Sequence, residues 1–231
     1  MPTTMTLAAA PQAWRPQPAA TQIPPMASPV SSDLLPAIGP RMSFGRDEEI
    51  FGEGERADYI YQVLEGAVRN CRFLGDGRRQ IEEFHLAGEY FGLETGADHT
   101  STAEAVGSAT VLLIRRSTLA DLASRDLTVS SRLLDLTMKG LRRTQDHVIM
   151  LGRKGACERV AAFLLDFAKR TSAIGSIRLP MSRQDIADYL GLTIETVSRT
   201  LSQFESDGVI ALPDRRSVTV MAARRLEAFC D

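Results

Sequence analysis

Two charged residues four positions apart, Glu195 and Arg199, have the most defined chemistry of any side chains in this sequence. A glutamate accepts hydrogen bonds from amino groups, and an arginine donates two parallel hydrogen bonds to a planar acceptor. On a helix, residues at this spacing share one face, so they can also form an ordinary surface ion pair worth about 0.2 to 0.5 kcal/mol. The surrounding elements decide between these two interpretations.

The pair lies within SRQDIADYLGLTIETVSRTLSQF, residues 182–204, which predicts two short helices. Ser182 and Asp185 have the spacing of a capping box, with an acid in place of the usual Glu or Gln. Gly191 ends the first helix, because glycine tolerates the left-handed conformation, and Thr193 is placed to cap the second helix. Such a short turn between two helices is typical of a helix-turn-helix motif.

The second helix has an apolar stripe of Val197, Leu201 and Phe204, which leaves Glu195 and Arg199 on the polar face. In a helix-turn-helix, residues near the start of the second helix reach base edges in the major groove of DNA. There a glutamate would accept from cytosine N4, and an arginine would donate to guanine O6 and N7. The position of the pair therefore favours base reading over a surface ion pair.

Composition gives few further clues to function. The 231 residues are 44% hydrophobic and 24% charged, which indicates a globular chain with room for one large domain or two small ones, and the net charge of −2 does not indicate a nucleic-acid partner. The three scattered cysteines argue against a disulfide framework and against a metal site. With no long apolar run and no signal peptide, we expect a cytoplasmic protein without a membrane partner.

The distribution of prolines, glycines and apolar residues along the sequence predicts an α+β fold in four segments. Residues 1–40 hold nine of the eleven prolines and should form a disordered Pro/Ala-rich tail. Residues 41–120, with short apolar stretches broken by glycine, predict an antiparallel sandwich or barrel. Residues 121–152 contain a long helix, and residues 153–231 have the helix, strand, helix, turn, helix and hairpin of a winged helix-turn-helix.

The long helix carries residues at alternating spacings of four and three, which is the pattern of a seam for a partner helix. We expect that partner to be the same helix of a second copy, which predicts a homodimer. The seam residues are Leu134, Met138, Leu141, Gln145, Val148 and Gly152.

Over nearly all of the chain after residue 40, the sequence resembles the CRP/FNR superfamily of bacterial transcription regulators, and in particular its FixK-like branch. The motifs that carry the resemblance are ETVSR at 195–199, EEIFGEGERADYIYQVLEGAVR at 48–69 and ERVAAFLLDF at 158–167. The resemblance implies a cyclic-nucleotide-binding-like jelly-roll barrel, a dimerisation helix and a DNA-binding winged helix-turn-helix. RNA polymerase is the further partner that it implies.

The resemblance also implies that Glu195, Ser198 and Arg199 read a TTGA half-site. Ile194 stands where the cyclic-AMP receptor of the superfamily has an arginine, and an apolar side chain suits a thymine methyl group. A dimer would therefore read TTGA-N6-TCAA. In FixK proteins this reading controls genes for low-oxygen respiration and nitrogen fixation, and we expect an activator, although repression stays open.

Five further residues are candidate contacts to DNA phosphates, which position a protein without specifying sequence. The arginines among them have plain solvated charge as an equally good alternative. The candidates are Arg183, Thr193, Thr196, Arg215 and Arg216.

The nucleotide pocket implied by the resemblance is degenerate. Superfamily members that bind cyclic nucleotides have a glutamate after a Phe-Gly pair and a later arginine for the phosphate. Here Leu93 follows Gly92, and Ser101 and Thr102 stand near the place of the arginine. No Lys or Arg occurs between residues 80 and 114, whereas six acids do. Acidic residues without a nearby cation disfavour binding of an anionic phosphate, so we predict that the chain does not bind a cyclic nucleotide.

We also predict that the chain uses no other cofactor and is not an enzyme, since it lacks catalytic constellations. No cysteine precedes Cys71, which disfavours an iron-sulfur cluster of the FNR kind, and His85 is a lone histidine in an apolar segment. We expect His99 and His147 to be solvated and Cys230 to be accessible to oxidation. The alternatives are a regulator of CRP type gated by a small molecule or by redox, and a ligand-binding regulatory module that acts on a protein partner.

Overall fold

The structure is a computed structural model that describes residues 39–171 and 176–230. The disordered tail that we predict for residues 1–40 lies outside this range except for its last two residues. None of the helices described is long and apolar enough to cross a membrane.

The first part of the fold is a pair of four-stranded antiparallel sheets in the order β1-β8-β3-β6 and β2-β7-β4-β5. This confirms the predicted jelly roll, as two facing sheets; no strand pairing among the described residues closes them into one barrel. The strands are β1 Arg41–Phe44, β2 Glu49–Phe51, β3 Tyr59–Glu65, β4 Ala67–Phe73, β5 Arg79–Leu86, β6 Tyr90–Phe91, β7 Thr102–Ala105 and β8 Ala109–Arg115.

Successive side chains along the strands point to opposite faces of each sheet, and buried apolar residues occur on both faces. On β8, Val111 points between the sheets, whereas Leu112 points outward to a second apolar cluster. Successive side chains of a strand point to opposite faces, so a strand with both faces covered reads as a continuous apolar run, as in ATVLLI at 109–114. The sandwich is therefore covered on its outside as well as filled.

Two helices cover the outside of the first sheet. Helix α1 spans Arg116–Arg125 and buries Leu119, and helix α2 spans Leu127–Arg153 and buries Val129 against the same cluster. The Asp126 carboxylate accepts a 2.8 Å hydrogen bond from the Thr128 amide and caps α2. The long helix therefore begins at Leu127, and residues 121–125 of the segment predicted for it belong to α1.

The C-terminal part has the predicted winged helix-turn-helix layout. A small antiparallel sheet of order β10-β11-β9 packs beside three helices, and a fourth short helix ends the described chain. The elements are α3 Ala156–Arg170, β9 Ser176–Arg178, α4 Arg183–Leu190, α5 Ile194–Ser206, β10 Ile210–Ala211, β11 Ser217–Val220 and α6 Ala223–Glu227.

A third apolar cluster joins this part to the outer face of the second sheet. Ile81 and Phe84 of β5 belong to one buried cluster with Phe163 of α3 and Ile186 of α4. The rings of Phe84 and Tyr189 lie 5.3 Å apart between centroids. The helix-turn-helix thus packs directly on the sandwich.

Candidate DNA-binding site

The two helices of the motif start and stop where the sequence predicts. The Ser182 hydroxyl accepts from the Asp185 amide at 3.1 Å, and the Asp185 carboxylate accepts from the Ser182 amide at 2.9 Å, which completes the capping box. Gly191 adopts φ 60° and ψ 40°, in the left-handed region that favours glycine. Thr193 caps α5 by accepting from the Thr196 amide at 3.3 Å. All three predictions are confirmed.

Helix α5 separates an apolar face from an exposed polar face. Val197, Leu201 and Phe204 are buried against α3 and α4. Glu195 and Arg199 are exposed on the other face, one helical turn apart. Ile194, at the start of the helix, leaves 37% of its surface exposed, although it is apolar. The start of α5 therefore offers a charged and partly apolar surface to a partner.

Glu195 and Arg199 do not form the surface ion pair that their spacing allows. Arg170 and Asp166 pair at 3.3 Å with the same spacing, but the described residues contain no ion pair between Glu195 and Arg199. The pKa of the Glu195 carboxyl is lowered chiefly by the hydrogen bond of its own backbone amide and then by Thr193, with Arg199 contributing least. The Glu195 carboxylate thus accepts hydrogen bonds at the start of its own helix, and the exposed Arg199 is not paired with it.

The candidate phosphate contacts differ in how far the protein already uses them. The Thr193 hydroxyl lies 3.1 Å from that of Thr196, so the two hydroxyls engage each other. The Arg216 guanidinium donates to the Pro180 carbonyl at 3.3 Å. Arg215 is exposed in the same loop, and Arg183 is half-buried at the start of α4. Of the five candidates, Arg215 is the most available.

Asp214 shapes the wing loop that carries these arginines. Its carboxylate accepts from the amides of Arg216 and Ser217 at 2.7 and 2.8 Å and from the Ser217 hydroxyl at 2.8 Å. The hydrogen bond from the Arg216 amide contributes most to lowering the pKa of this exposed carboxyl, followed by that from the Ser217 hydroxyl. The loop between β10 and β11 is thus folded by its own hydrogen bonds.

The predicted seam of α2 faces away from the sandwich. Val129, Leu133 and Leu136 turn toward the first sheet, so the seam lies on another side of the helix. The apolar seam residues, with their exposed fractions, are Leu134 at 62%, Met138 at 55%, Leu141 at 50% and Val148 at 62%, and the exposed Gln145 lies among them. A row of large apolar side chains in water marks an interaction surface.

Comparison with known proteins decides the family. A model of the Crp-like helix-turn-helix domain matches residues 158–229, and one of the cyclic nucleotide-binding domain matches residues 41–126. The nitrogen fixation regulation protein FixK of Azorhizobium caulinodans is 45% identical over 85% of this chain and 83% of its own length. The chain belongs to the CRP/FNR family.

Other relatives point the same way. FixK of Rhizobium meliloti is 44% identical over 85% of this chain and 90% of its own length. The structure of FixK2 from Bradyrhizobium japonicum superposes with a TM-score of 0.81 at 46% identity, covering 84% of this chain and 98% of that one. The chain is thus a DNA-binding transcription regulator of the CRP/FNR family and not an enzyme.

Around the residues predicted to form a degenerate nucleotide pocket, aromatic rings fill the space between the sheets. Gly92 has φ 73°, and a Cβ there would lie 2.8 Å from the Tyr61 ring, so the rings pack against bare backbone. Tyr61 and Phe91 stack with centroids 5.0 Å apart. Leu93 packs with the outer cluster of the first sheet, next to α1 and α2. The position of the missing glutamate therefore serves apolar packing.

The polar residues of this pocket are satisfied within the protein. Ser101 is buried and accepts from Asn70 at 3.2 Å, and the Thr102 hydroxyl accepts from the Glu53 amide at 3.1 Å. Arg116 reaches the loop after β6, but its guanidinium donates to the carbonyls of Ala57, Gly96 and Glu94. The guanidinium of Arg116 is thus already hydrogen-bonded to backbone carbonyls of this region.

Two histidines that we expected to be solvated are not: His99 is buried and His147 is half-buried, with both of its ring nitrogens buried. We expected His99 to be solvated, but its side chain is buried, stacks on Phe51 with centroids 3.5 Å apart and lies 3.1 Å from Glu94 Oε1. His147 is half-buried and lies 4.2 Å from the Tyr189 ring. Burial lowers the pKa of His147 and that of the buried His85. The loop around His99 carried no apolar periodicity that could have indicated its burial.

The cysteines also separate by exposure. Cys71 is buried, and burial raises the pKa of its thiol to about 12. Cys230, expected to be accessible, is half-buried, and its carbonyl accepts from Lys154 at 2.7 Å. Cys157 is the exposed one. Among the described residues, no group of three or more His, Cys, Asp or Glu is arranged to hold a metal ion.

Sequence reasoning missed an ionic cluster between the sandwich and α4. Arg69 of β4 is buried and Arg79 of β5 is half-buried; both reach Asp185, the acid of the capping box of α4. Arg79 also reaches Asp188. The sequence carried no clear signal for it, because the strand AVRNCRF at 67–73 contains two arginines and nothing in it distinguishes the buried Arg69 from the exposed Arg72.

Proposed function

We propose that this regulator binds double-stranded DNA as a homodimer and reads an inverted repeat resembling TTGA-N6-TCAA. The observation that carries the proposal is the exposed face of α5, where Glu195 and Arg199 lie one turn apart without pairing. A glutamate that accepts from cytosine N4 and an arginine that donates to guanine O6 and N7 suit the G·C pair of TTGA.

The neighbouring residues complete the proposed reading of the half-site. Ile194 supplies an apolar contact for a thymine methyl group, which is the reason to prefer TTGA over GTGA. Ser198, half-buried on the same face, contributes its hydroxyl. Arg183, Arg215 and the remaining backbone candidates fix the register by contacting phosphates.

Fluorescence anisotropy with a labelled operator tests this assignment. Glu195→Ala and Arg199→Ala should each cost about 1 to 3 kcal/mol and relax preference at the G·C pair. Ser206→Ala, exposed at the other end of α5, is the matched control and should bind as wild type does. Equal affinity of the wild type for the operator and for a scrambled site at matched salt would refute the assignment.

The homodimer rests on the seam of α2. The exposed leucines, methionine and valine of this helix have the spacing of a coiled-coil seam, and their burial would remove apolar surface from water. A dimer also fits the two-fold symmetry of an inverted repeat. We place Gln145 in the middle of the seam, where a polar residue fixes the register of two helices.

We further propose that DNA binding requires neither a cyclic nucleotide nor an iron-sulfur cluster. Leu93 packs in an apolar cluster, Ser101 is buried with Asn70, and aromatic rings occupy the space between the sheets. Titration calorimetry with cyclic AMP should show no micromolar binding, and operator affinity should not change when it is added. Tight binding would support the alternative of a ligand-gated regulator.

The proposed biological role follows from the relatives, which are named as regulators of nitrogen fixation. We propose that this regulator acts in the cytoplasm, in contact with RNA polymerase, on genes for low-oxygen respiration and nitrogen fixation. Activation or repression is set by where the operator lies relative to the promoter. Reporter fusions to promoters that carry the repeat, in strains with and without the gene, test the role.

A further inference from the structure

The helix-turn-helix is fixed to the sandwich by charged groups at one end of α4. Asp185 and Asp188 lie three residues apart on this helix and both face strands β4 and β5. The Nε and Nη2 groups of Arg79 donate to Asp188 Oδ2 at 2.9 and 2.8 Å, and Nη2 also donates to Asp185 Oδ1 at 2.5 Å. One guanidinium therefore holds the first two turns of the helix.

A second guanidinium lies deeper in the same cluster. The side chain of Arg69 is 4% exposed and donates to Glu104 at 2.6 Å, to Asp47 at 2.8 Å and to Asp185 at 3.3 Å. Its partners Glu104 and Asp47 both belong to the sandwich. Arg69 thus contacts mainly carboxylates of the sandwich, whereas Arg79 makes most of the ionic contacts between the sandwich and α4.

The ionic contacts act beside an apolar contact that is less directional. Phe84 of β5 packs on Tyr189 of α4 and Phe163 of α3, and Gln80 donates to the Tyr189 carbonyl at 3.4 Å. The free energy of apolar burial depends on the area buried and not on direction, so an apolar contact allows α4 to slide along the sheet. Hydrogen-bonded ion pairs favour a single position of the helix. The ion pairs therefore add a directional contact between the sandwich and the first two turns of α4.

The angle of α4 determines that of α5, since the two helices share one core. Ile186, Ala187 and Leu190 of α4 pack in the same buried cluster as Val197 and Leu201 of α5. The face of α4 that meets the sandwich is not the reading face of the motif, which remains exposed at Glu195 and Arg199 on α5. The docked arrangement thus presents the reading helix and does not cover it.

We propose that Arg79 is a positioning residue for DNA reading: through Asp185 and Asp188 it holds α4, and with it α5, in the binding orientation. This inference rests on the proposed DNA-binding function. It assigns to the β4–β5 strand pair a direct part in presenting the recognition helix.

The test compares Arg79→Gln with Arg72→Gln. Arg72, on the neighbouring strand, pairs with Glu82 at 2.9 Å within the sheet, and both side chains are exposed, so its loss breaks an ion pair without touching α4. Two quantities are measured for each purified full-length variant. The first is operator affinity by anisotropy, and the second is the distance between the two parts of the chain.

Pulsed electron paramagnetic resonance provides the distance. Spin labels are placed at the exposed positions Glu65 and Ser206 in a Cys157→Ser, Cys230→Ser background, with Cys71 left because it is buried. Labelled protein is diluted into unlabelled protein so that each dimer carries one labelled copy. Arg79→Gln should broaden the distance distribution, and if the competent fraction falls to about one-tenth, apparent affinity falls about tenfold.

The controls separate positioning from general destabilisation. Arg79→Lys keeps the charge but loses the two-nitrogen contact with Asp188, so it should recover only part of the affinity and of the narrow distribution, whereas Arg72→Gln should behave as wild type. If Arg79→Gln is not folded by circular dichroism, Asp188→Asn breaks the same contact from the side of α4. These readouts do not follow from a loss of stability alone, because folded protein is compared at one temperature.

Three results bear against the proposal or its premise. An unchanged distance distribution and affinity in Arg79→Gln would overturn it, and so would tighter binding, which would mean that the contact holds a non-binding orientation. A wild type without preference for the operator would instead refute the proposed function. In that case the distance distributions still report whether Arg79 fixes α4.

Discussion

Removing Arg69 should destabilise the protein more than removing the charge of Asp185, although both belong to the same ionic cluster. The cluster contains two guanidiniums, Arg69 and Arg79, and four carboxylates, those of Asp47, Glu104, Asp185 and Asp188. Arg69→Met leaves one cation facing four acids, whereas Asp185→Asn leaves two cations facing three. Charge balance therefore predicts an asymmetry.

The magnitudes follow from burial. Arg69 is almost fully buried, and breaking such a pair from one side costs about 3 to 5 kcal/mol because the partner charges remain uncompensated. Asp185→Asn removes charge-assisted hydrogen bonds, worth about 1.5 to 3 kcal/mol, but relieves repulsion among the carboxylates. We expect a loss of about 4 kcal/mol in the free energy of unfolding for Arg69→Met and about 2 for Asp185→Asn.

Urea denaturation followed by far-ultraviolet circular dichroism at pH 7 measures both losses. Arg72→Met is the matched control, since the exposed Arg72–Glu82 pair should contribute only about 0 to 1 kcal/mol. A loss for Asp185→Asn larger than that for Arg69→Met would refute the charge-balance reasoning. Equal losses in the free energy of unfolding for Arg69→Met and Arg72→Met would refute the argument that burial makes the Arg69 ion pairs more costly to break.

The same cluster predicts a dependence of stability on pH. Burial opposes ionisation of Asp185, but hydrogen bonds from Ser182 and the charges of Arg69 and Arg79 outweigh it, so the pKa of this carboxyl lies below its usual value of 3.8. A lowered pKa contributes stability that is present above the unfolded value and is lost as pH falls through the folded one. Below about pH 4, Asp185→Asn should therefore lose less stability per pH unit than wild type does.

Other variants test the reading helix, the seam and the thiols. Ile194→Arg should move operator preference from TTGA toward GTGA in anisotropy titrations, because arginine donates to guanine; unchanged preference would exclude Ile194 from base reading. Leu141→Glu, placing a charge in the seam, should yield a monomer in sedimentation that binds a half-site weakly, and an unaltered dimer would contradict the seam. Iodoacetamide followed by mass spectrometry should modify Cys157 first, Cys230 next and Cys71 last, in order of exposure.

Local signals in the sequence were sufficient for the reading motif. The caps at Ser182 and Thr193 and the glycine at Gly191 are set by neighbours within a few residues, so the sequence predicts both helices and their turn. The exposed seam of α2 is likewise a pattern within one helix. Periodicity and capping chemistry depend on short spans of chain, and such features can be read without a structure.

The features that the sequence did not indicate depend on distant parts of the chain. Arg79 and Asp185 are 106 positions apart, and the sequence near either residue does not predict their contact. His99, in a loop, was expected to be solvated because its burial comes from Phe51 on β2, which is distant in the sequence. Asp185 was recognised as a cap, but the same carboxylate has a second role that only the packing of the two parts of the chain creates.

The aromatic filling of the sandwich also bears on the proposal that this regulator binds no cyclic nucleotide. Tyr61 and Phe91 stack between the sheets, and Gly92 has no room for a side chain beside the Tyr61 ring. Replacing Leu93 with glutamate alone would put a charge into an apolar cluster and would open no space for a ligand. Making room for a nucleotide among these rings would require several core replacements made together, each unfavourable without the others, so the packing of this domain resists gradual change.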